Sequence, residues 1–214
     1  MCQNGGLIGN HVSILSMAAI VAAILYNFRN LIRFSGRDTR AQFWPYVIFI
    51  FIVQSIISVI IMIPIMINMM AKIFLAVQQQ AAKPHAPLDQ RAIDQIIQGL
   101  YSDMGSVLTI TSPILTGLLV ALIAAAVTRR LHDRNMHGYW GLVPLPFTIV
   151  GLAAMPKMFA TWPYRPDFGL FGLLLLNSLI HLAAIIVLIV LLAQRSVAGA
   201  NRFGAEVTDW HHSP

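Results

Sequence analysis

The chain has 214 residues, of which 57% are hydrophobic and only 10% are charged. A soluble domain is roughly 45–50% apolar and about 25% charged, so this chain has too few charged side chains to cover a water-facing surface. The composition excludes a disordered chain, a disulfide scaffold and an ordinary soluble enzyme. It indicates a polytopic integral membrane protein of the all-α class.

The formal charge of +6 arises from 14 Lys and Arg against 8 Asp and Glu. In so apolar a chain, a basic excess is typical of loops that stay on the cytoplasmic side. We reject nucleic-acid binding, because no basic soluble module is available to present these charges. The single cysteine, Cys2, excludes an internal disulfide and a multi-cysteine metal site, and we interpret it as incidental.

Residues 12–28 form a short, apolar, alanine-rich stretch that Arg29 and Arg33 follow. This stretch could cross the membrane with the N-terminus outside, or lie in the interface with both arginines toward lipid phosphates. A targeting signal is a third option, but its basic residues should precede the apolar stretch. We assign residues 1–33 to an N-terminal apolar or amphipathic helix and favour interfacial or partial insertion.

Four later stretches reach the roughly 20 apolar residues that a transmembrane helix needs. They are residues 43–71, 107–127, 139–159 and 168–193. The first is longer than an upright span, and Pro64 predicts a kink in it. The third holds three prolines and two glycines, so its irregular backbone should lie against other helices. We therefore predict a four-span helical bundle over residues 34–205, followed by a tail over residues 206–214.

The loops on the two sides of these spans differ in charge. The side of Arg40 holds nine arginines against four carboxylates, and the other side holds five basic against four acidic residues. The positive-inside rule places the first set and the C-terminus in the cytoplasm. Residues 72–106 then form an external loop, in which Pro84 and Pro87 mark a linker and residues 88–100 predict an amphipathic helix on the outer interface.

Three motifs fall on the expected cytoplasmic side. Residues 34–44 (FSGRDTRAQFW) open the first span. Residues 129–134 (RRLHDR) leave the second span, and Gly138-Tyr139-Trp140 lead into the third. Residues 199–204 (GANRFG) follow the fourth span.

At these motifs the chain resembles the bacterial inner-membrane family labelled "domain of unknown function 805". That family combines F-x-G-R-x-x-R-x-x-F-W, an R-R-L-H-D loop, an aromatic return to the membrane and a terminal G-x-N-R-F/Y-G. The resemblance covers roughly residues 33–205, although family members often have a shorter N-terminal lead and a single span where this chain has a third and a fourth. It implies a multi-span inner-membrane protein and no established activity.

The motifs concentrate guanidinium groups, which are always charged and bind phosphate or carboxylate through a planar fork. One interpretation is internal pairing, of Arg37 and Arg40 with Asp133 and of Arg129 or Arg130 with Asp38. The other is an anion site for a phospholipid headgroup or a phosphate-bearing ligand. We assign the anion site to Arg37, Arg40, Arg129, Arg130, Arg134 and Arg202, and pairing across the cytoplasmic face to Asp38, His132, Asp133 and Asn201.

The adjacent His132 and Asp133 do not predict a catalytic or metal site. Neighbouring residues on a helix point about 100° apart, so the carboxylate cannot easily orient the imidazole beside it. Neither an H-x-x-x-H nor an H-E-x-x-H pattern occurs in the chain, and His211 and His212 in the tail are interpreted as incidental. We expect no catalytic residue, no metal and no cofactor.

Polar residues inside the predicted spans form a second candidate site. His181 lies midway along the fourth span with Asn177 one turn earlier, and the first two spans contribute Gln54, Ser58 and Thr116. The favoured interpretation is a seam of hydrogen bonds between helices. The other is a hydrated transport path, because an ionisable residue within a span is costly to bury.

Two functions follow from these sites. The first is a non-enzymatic inner-membrane protein whose arginine-rich cytoplasmic face binds anionic lipid headgroups or a partner protein. The alternative is a small transporter or channel-like protein that uses the polar seam around His181. We expect membrane lipids, with anionic headgroups, as partners, and a protein partner or a second copy of the chain as further options.

Overall fold

The structure is a computed structural model that describes residues 5–82, 90–161 and 167–207. Regular structure in these ranges is helical, without a β-strand, so the all-α class is confirmed. A π-helical turn (Val107–Thr111) joins the third helix to the fourth, and a 3-10 turn (Gly138–Leu142) precedes the fifth. The helices are α1 Gly5–Arg29, α2 Arg40–Ala81, α3 Gln90–Ser106, α4 Ser112–Asp133, α5 Leu145–Thr161 and α6 Phe168–Ala193.

Within the described ranges, four helical segments are long and apolar enough to cross a membrane. They are Arg40–Gln79, Thr109–Asp133, Gly138–Thr161 and Phe168–Ala193. Because a span needs roughly 20 apolar residues, the protein is a multi-pass membrane protein. Met17–Arg29 is a shorter apolar helix at the end of α1, and its placement in the interface or across the membrane stays a prediction.

Helix α2 is longer than the sequence-based span. It has 42 residues, about 63 Å at roughly 1.5 Å per residue, whereas the hydrocarbon core is about 30 Å thick. The helix continues through Pro64 and past Ala71, where the predicted span ends. Hydropathy falls after Ala71, but neither glycine nor proline lies between Pro64 and Ala81 to stop the helix.

The predicted external loop contains α3, which is continuous with α4. Helix α3 ends at Ser106, and the π-helical turn carries the chain directly into Ser112. Pro113 lies in the first turn of α4, and π-helical turns accommodate local breaks in helical hydrogen bonding. The predicted linker prolines Pro84 and Pro87 lie outside the described residues.

The chain divides into two compact units. The first unit comprises Met1–Ile52, Leu119–Pro144 and Ala184–Pro214, and the second comprises Val53–Leu118 and Leu145–Ala183. The three motifs all fall in the first unit. Its apolar core consists of Phe43, Tyr46, Val47 and Ile50 of α2, Ala126, Val127 and Leu131 of α4, and Leu192 of α6.

Helix ends within the first unit follow local capping rules. Helix α2 begins with a capping box, in which the Thr39 hydroxyl accepts from the Gln42 backbone N–H (3.4 Å) and the Gln42 side-chain oxygen accepts from the Thr39 N–H (2.8 Å). Helix α4 ends with a Schellman motif. Asn135, at φ 57°, and Met136 donate backbone N–H groups to the carbonyls of His132 and Leu131 at 2.9 Å.

The 3-10 turn packs closely against α4. A Cβ added to Gly138 would lie 2.4 Å from Cγ2 of Thr128, and one added to Gly141 would lie 2.8 Å from Cγ1 of Val127. Gly138 does not have a positive φ. This glycine therefore allows close approach between two segments and does not serve a backbone conformation that only glycine adopts.

We predict that Gly138→Ala destabilises the protein by about 1–3 kcal/mol, because the added methyl overlaps a stiff β-branched side chain. Thermal unfolding in detergent measures the effect. Thr128→Ala in the same chain should restore most of the loss. A Gly138→Ala protein as stable as the wild type would contradict the close approach.

Candidate functional site

Three arginines and two aspartates are buried together in the first unit. Arg37, Arg129 and Arg130 are 4%, 1% and 0% exposed, and Asp38 and Asp133 are 0% and 1% exposed. Arg129 Nε lies 2.8 Å from Asp38 Oδ2, and Arg37 Nη2 lies 3.0 Å from Asp133 Oδ1. Arg130 contacts the other oxygen of Asp133. We call these five residues the buried ion network.

Arg129 joins α4 to the end of α1. Its Nη1 donates to the carbonyls of Asn30 (2.8 Å) and Arg33 (2.6 Å), just beyond the last residue of α1. Its Nη2 donates to Oδ1 of Asn27 at 2.7 Å. The end of a helix carries partial negative charge from its carbonyls, so the guanidinium group stabilises the C-terminal end of α1.

Arg130 makes the equivalent connection to α6. Its Nε donates to the carbonyl of Leu192 at 2.8 Å, and its Nη2 donates to the carbonyl of Gln194. Adjacent residues on α4 point about 100° apart. Arg129 and Arg130 can therefore reach the ends of two different helices from neighbouring positions.

Arg37 connects the chain before α2 to α4 and to the C-terminal segment, which we define as residues 194–207. Its Nε and Nη2 donate to Asp133 Oδ1 at 3.1 and 3.0 Å. Its Nη2 and Nη1 also donate to the carbonyls of Val197 (2.6 Å) and Gly199 (2.7 Å). Gly36 and Gly199 have positive φ values of 96° and 75°, which non-glycine residues rarely adopt.

Burial and a neighbouring positive charge shift the pKa of the Asp38 carboxyl group in opposite directions. Burial raises the pKa of Asp38, and the positive charge of Arg129 lowers it. Besides Arg129, the Tyr26 hydroxyl donates to Asp38 Oδ1 at 3.2 Å. Because a buried charge without partners is costly, the carboxylate depends on these donors.

His132 of the second motif packs against the third motif. The His132 ring stacks on Phe203 with centroids 3.9 Å apart, and its Nδ1 lies 3.3 Å from the Gly36 carbonyl oxygen. Asn201 donates to the His132 carbonyl at 2.9 Å. In the part of the chain that the structure describes, no group of three His, Cys, Asp or Glu is placed to hold a metal ion. The contacts of His132 are those of a packing residue.

Some of the expected ion pairs are present and one is absent. Arg37 pairs with Asp133 and Arg129 with Asp38, whereas Arg130 pairs with Asp133. Arg40 is exposed, and among the described residues it makes no ion pair with either aspartate. Arg40 therefore does not take part in the pairing that the sequence suggested.

Five of the six arginines assigned to the expected anion site bind groups inside the first unit in this structure, and the site itself stays a prediction. Every guanidinium nitrogen of Arg37, Arg129 and Arg130 donates to a partner inside the first unit. These three residues thus present no donor to a headgroup in this conformation. Arg134 donates to the Arg195 carbonyl and to the Gln194 side chain, and Arg202 donates to the Asn135 carbonyl and lies over the Phe203 ring.

Four arginines of the first unit are exposed and have no side-chain hydrogen bond among the described residues. Arg29 ends α1, Arg33 follows it, Arg40 begins α2, and Arg195 follows α6. We call them the exposed arginine set. Of these four, the sequence-based anion site includes only Arg40, because the motifs contain the arginines that turn out to be buried or hydrogen-bonded.

Sequence reasoning also missed two buried polar residues. Asn27 donates to the carbonyls of Ala23 and Gln42, both at 2.9 Å, and accepts from Arg129. Gln42 caps α2 through its side chain. The available signal was the T-x-x-Q spacing of Thr39 and Gln42, which is a capping-box pattern.

The polar seam is only partly assembled, within the second unit. His181 Nε2 lies 3.1 Å from the Thr148 hydroxyl, and Asn177 donates to the Phe147 carbonyl at 3.0 Å. Ser58 instead donates to the Gln54 carbonyl within α2 (2.9 Å). Over the described residues, no hydrogen bond connects Gln54, Ser58 or Thr116 to His181. The contacts of Asn177 and His181 join α6 to α5, as expected of packing between helices.

We predict a coupling energy of about 0.6 kcal/mol between Thr148 and His181, the average for a hydrogen bond between membrane helices. A double-mutant cycle of Thr148→Ala and His181→Ala, read by unfolding in detergent, measures it. Strictly additive losses would show that the two side chains do not interact.

We predict that Arg129→Lys destabilises the protein by about 3 kcal/mol or more, because one ammonium cannot reach the four acceptors of the guanidinium fork. Arg40→Lys is the matched control and should change stability by less than about 0.5 kcal/mol, since it alters an exposed residue. Equal stabilities of the two variants would contradict the structural role of the buried ion network.

Comparison with known proteins identifies the family of the chain. Residues 31–205 match the family described as "Protein of unknown function (DUF805)". No curated protein and no solved structure matches the chain. Since the match includes most of the chain and all three motifs, the chain belongs to the DUF805 family.

Proposed function

We propose that this protein is a non-enzymatic protein of the bacterial inner membrane whose exposed arginine set binds anionic phospholipid headgroups on the cytoplasmic side. The observation that carries the proposal is the division of the arginines in the first unit. Arg37, Arg129 and Arg130 use their donors internally, whereas the exposed arginine set keeps its donors available.

The positions of the exposed arginine set support a lipid ligand. Arg29 is the last residue of α1, and Arg40 is the first residue of α2. Arg195 lies two residues beyond the end of α6. The ends of transmembrane segments lie near the headgroup layer, where a basic residue contributes about 1 kcal/mol to binding an anionic surface. Outside the buried ion network, Glu206 is the only carboxylate among the described residues of the first unit.

The same charge distribution supports the proposed orientation. The positive-inside rule favours the cytoplasm for the end of the bundle that carries the arginines, and therefore for the C-terminus. The anionic leaflet lipids then supply the ligand. An acidic protein partner is the competing occupant of this surface.

We predict that Arg33→Gln with Arg40→Gln weakens binding of phosphatidylglycerol about thirtyfold, the equivalent of about 2 kcal/mol for two exposed basic residues. The measurement is native mass spectrometry of the purified protein with phosphatidylglycerol and phosphatidylcholine. Binding of phosphatidylcholine should not change.

The matched control is Arg91→Gln with Lys157→Gln, which removes two exposed charges from the second unit. It should retain phosphatidylglycerol like the wild type. Equal retention of phosphatidylglycerol by the wild type and both variants would overturn the lipid proposal. Binding of an acidic protein partner would then be the function of this surface.

A further inference from the structure

We propose that Arg37 and Arg130 form a second anion site, which the C-terminal segment covers in this structure. The ligand is a phosphate anion, supplied either by the headgroup of a phospholipid or by free inorganic phosphate. The inference rests on the proposed function only for the supply of anionic lipid, because the site itself uses different arginines.

The buried ion network lacks one negative charge, and the deficit is local. The network contains three guanidinium groups and two carboxylates. Asp38 is paired with Arg129, whereas Arg37 and Arg130 share the single carboxylate of Asp133. Buried charges are stabilised by opposite charge, so the missing anion belongs beside Arg37 and Arg130.

Neutral groups of the C-terminal segment contact the two arginines, and the carboxylate of Glu206 in the same segment accepts from the Gly199 N–H at 2.6 Å. The two terminal nitrogens of Arg37 donate to the carbonyls of Gly199 (2.7 Å) and Val197 (2.6 Å). Arg130 donates to the Gln194 carbonyl and to the Ser196 hydroxyl, the latter at 3.3 Å. Two oxygens of one phosphate suit the planar guanidinium fork, and hydrogen bonds to an ionised acceptor are about twice as strong as those to a neutral one.

Apart from its contacts with Arg37, Arg130 and Arg134, the segment has few described contacts with the rest of the first unit, and one of them is the Arg202 donation to the Asn135 carbonyl at 2.8 Å. The Val197 N–H donates to the Asp133 carbonyl at 3.2 Å, and Asn201 and Gly204 close a tight turn. Phe203 on the His132 ring and Asn201 on the His132 carbonyl anchor that turn. A segment with little buried apolar surface opens at low cost. A phosphate that binds both arginines can therefore displace it.

Hydrogen exchange of the full-length protein in nanodiscs tests the proposal. Amides of Val197, Asn201 and Gly204 are hydrogen-bonded in the covered state, so their exchange reports opening of the segment. Exchange should rise about tenfold when phosphatidylglycerol is added to phosphatidylcholine nanodiscs, or when inorganic phosphate replaces chloride at equal ionic strength. A rise with phosphatidylglycerol alone identifies a lipid ligand. A rise with inorganic phosphate identifies free phosphate.

A variant that keeps both arginines tests the cover itself. Asn201→Ala with Phe203→Ala removes the two anchors, so exchange should be fast without an anion and anion binding should tighten about tenfold. Adding Arg37→Gln to this variant should remove the gain. Unchanged exchange with both anions, or no gain in binding from the loosened segment, would overturn the proposal.

The exposed arginine set separates this test from that of the proposed function. In Arg33→Gln with Arg40→Gln, the anion that accelerates exchange of the segment in the wild type should still accelerate it. Loss of phosphatidylglycerol retention together with a retained exchange response would support both sites. Phosphatidylglycerol retention equal to that of the wild type would contradict the proposed function and leave the covered site supported by its exchange response.

Discussion

Three guanidinium groups that are shielded from water must find acceptors inside the protein, and the first unit is organised by this requirement. Two carboxylates are too few for three charges, so backbone carbonyls just after α1 and in the last turn of α6 supply further acceptors. Buried arginines need acceptors because an unpaired buried charge is costly. These contacts hold the end of α1, α4 and the end of α6 together within the first unit.

This arrangement separates arginines by role within a single unit. Arg129 and Arg130 are adjacent in sequence, yet each stabilises a different helix end because the α-helix turns about 100° per residue. Arg40 and Arg33, which flank the same region, remain exposed. The first unit thus combines a charged interior that joins its helices with exposed arginines next to the helix ends.

The fold could be predicted from the sequence as far as composition and helix length decide it. Apolar stretches identify the spans, and opposite charges in distant motifs suggested the pairing of Arg37 with Asp133. Tertiary contacts decide the rest. The burial of Arg129 depends on carbonyls that every residue possesses, so no side-chain pattern reveals it. The approach of Gly138 to Thr128 likewise depends on where two segments meet, and α2 extends past Ala71 because a drop in hydropathy does not end a helix.

The central claim is that the buried ion network gathers the three motifs at one side of the membrane. Its most direct measurement is labelling of single cysteines at the exposed positions Ser35, His137 and Ala200, one from each motif region, in a chain with Cys2→Ser. A membrane-impermeant maleimide is applied to right-side-out and inverted vesicles. The account predicts that all three positions react from the same side, and reaction of Ser35→Cys and His137→Cys from opposite sides would contradict it.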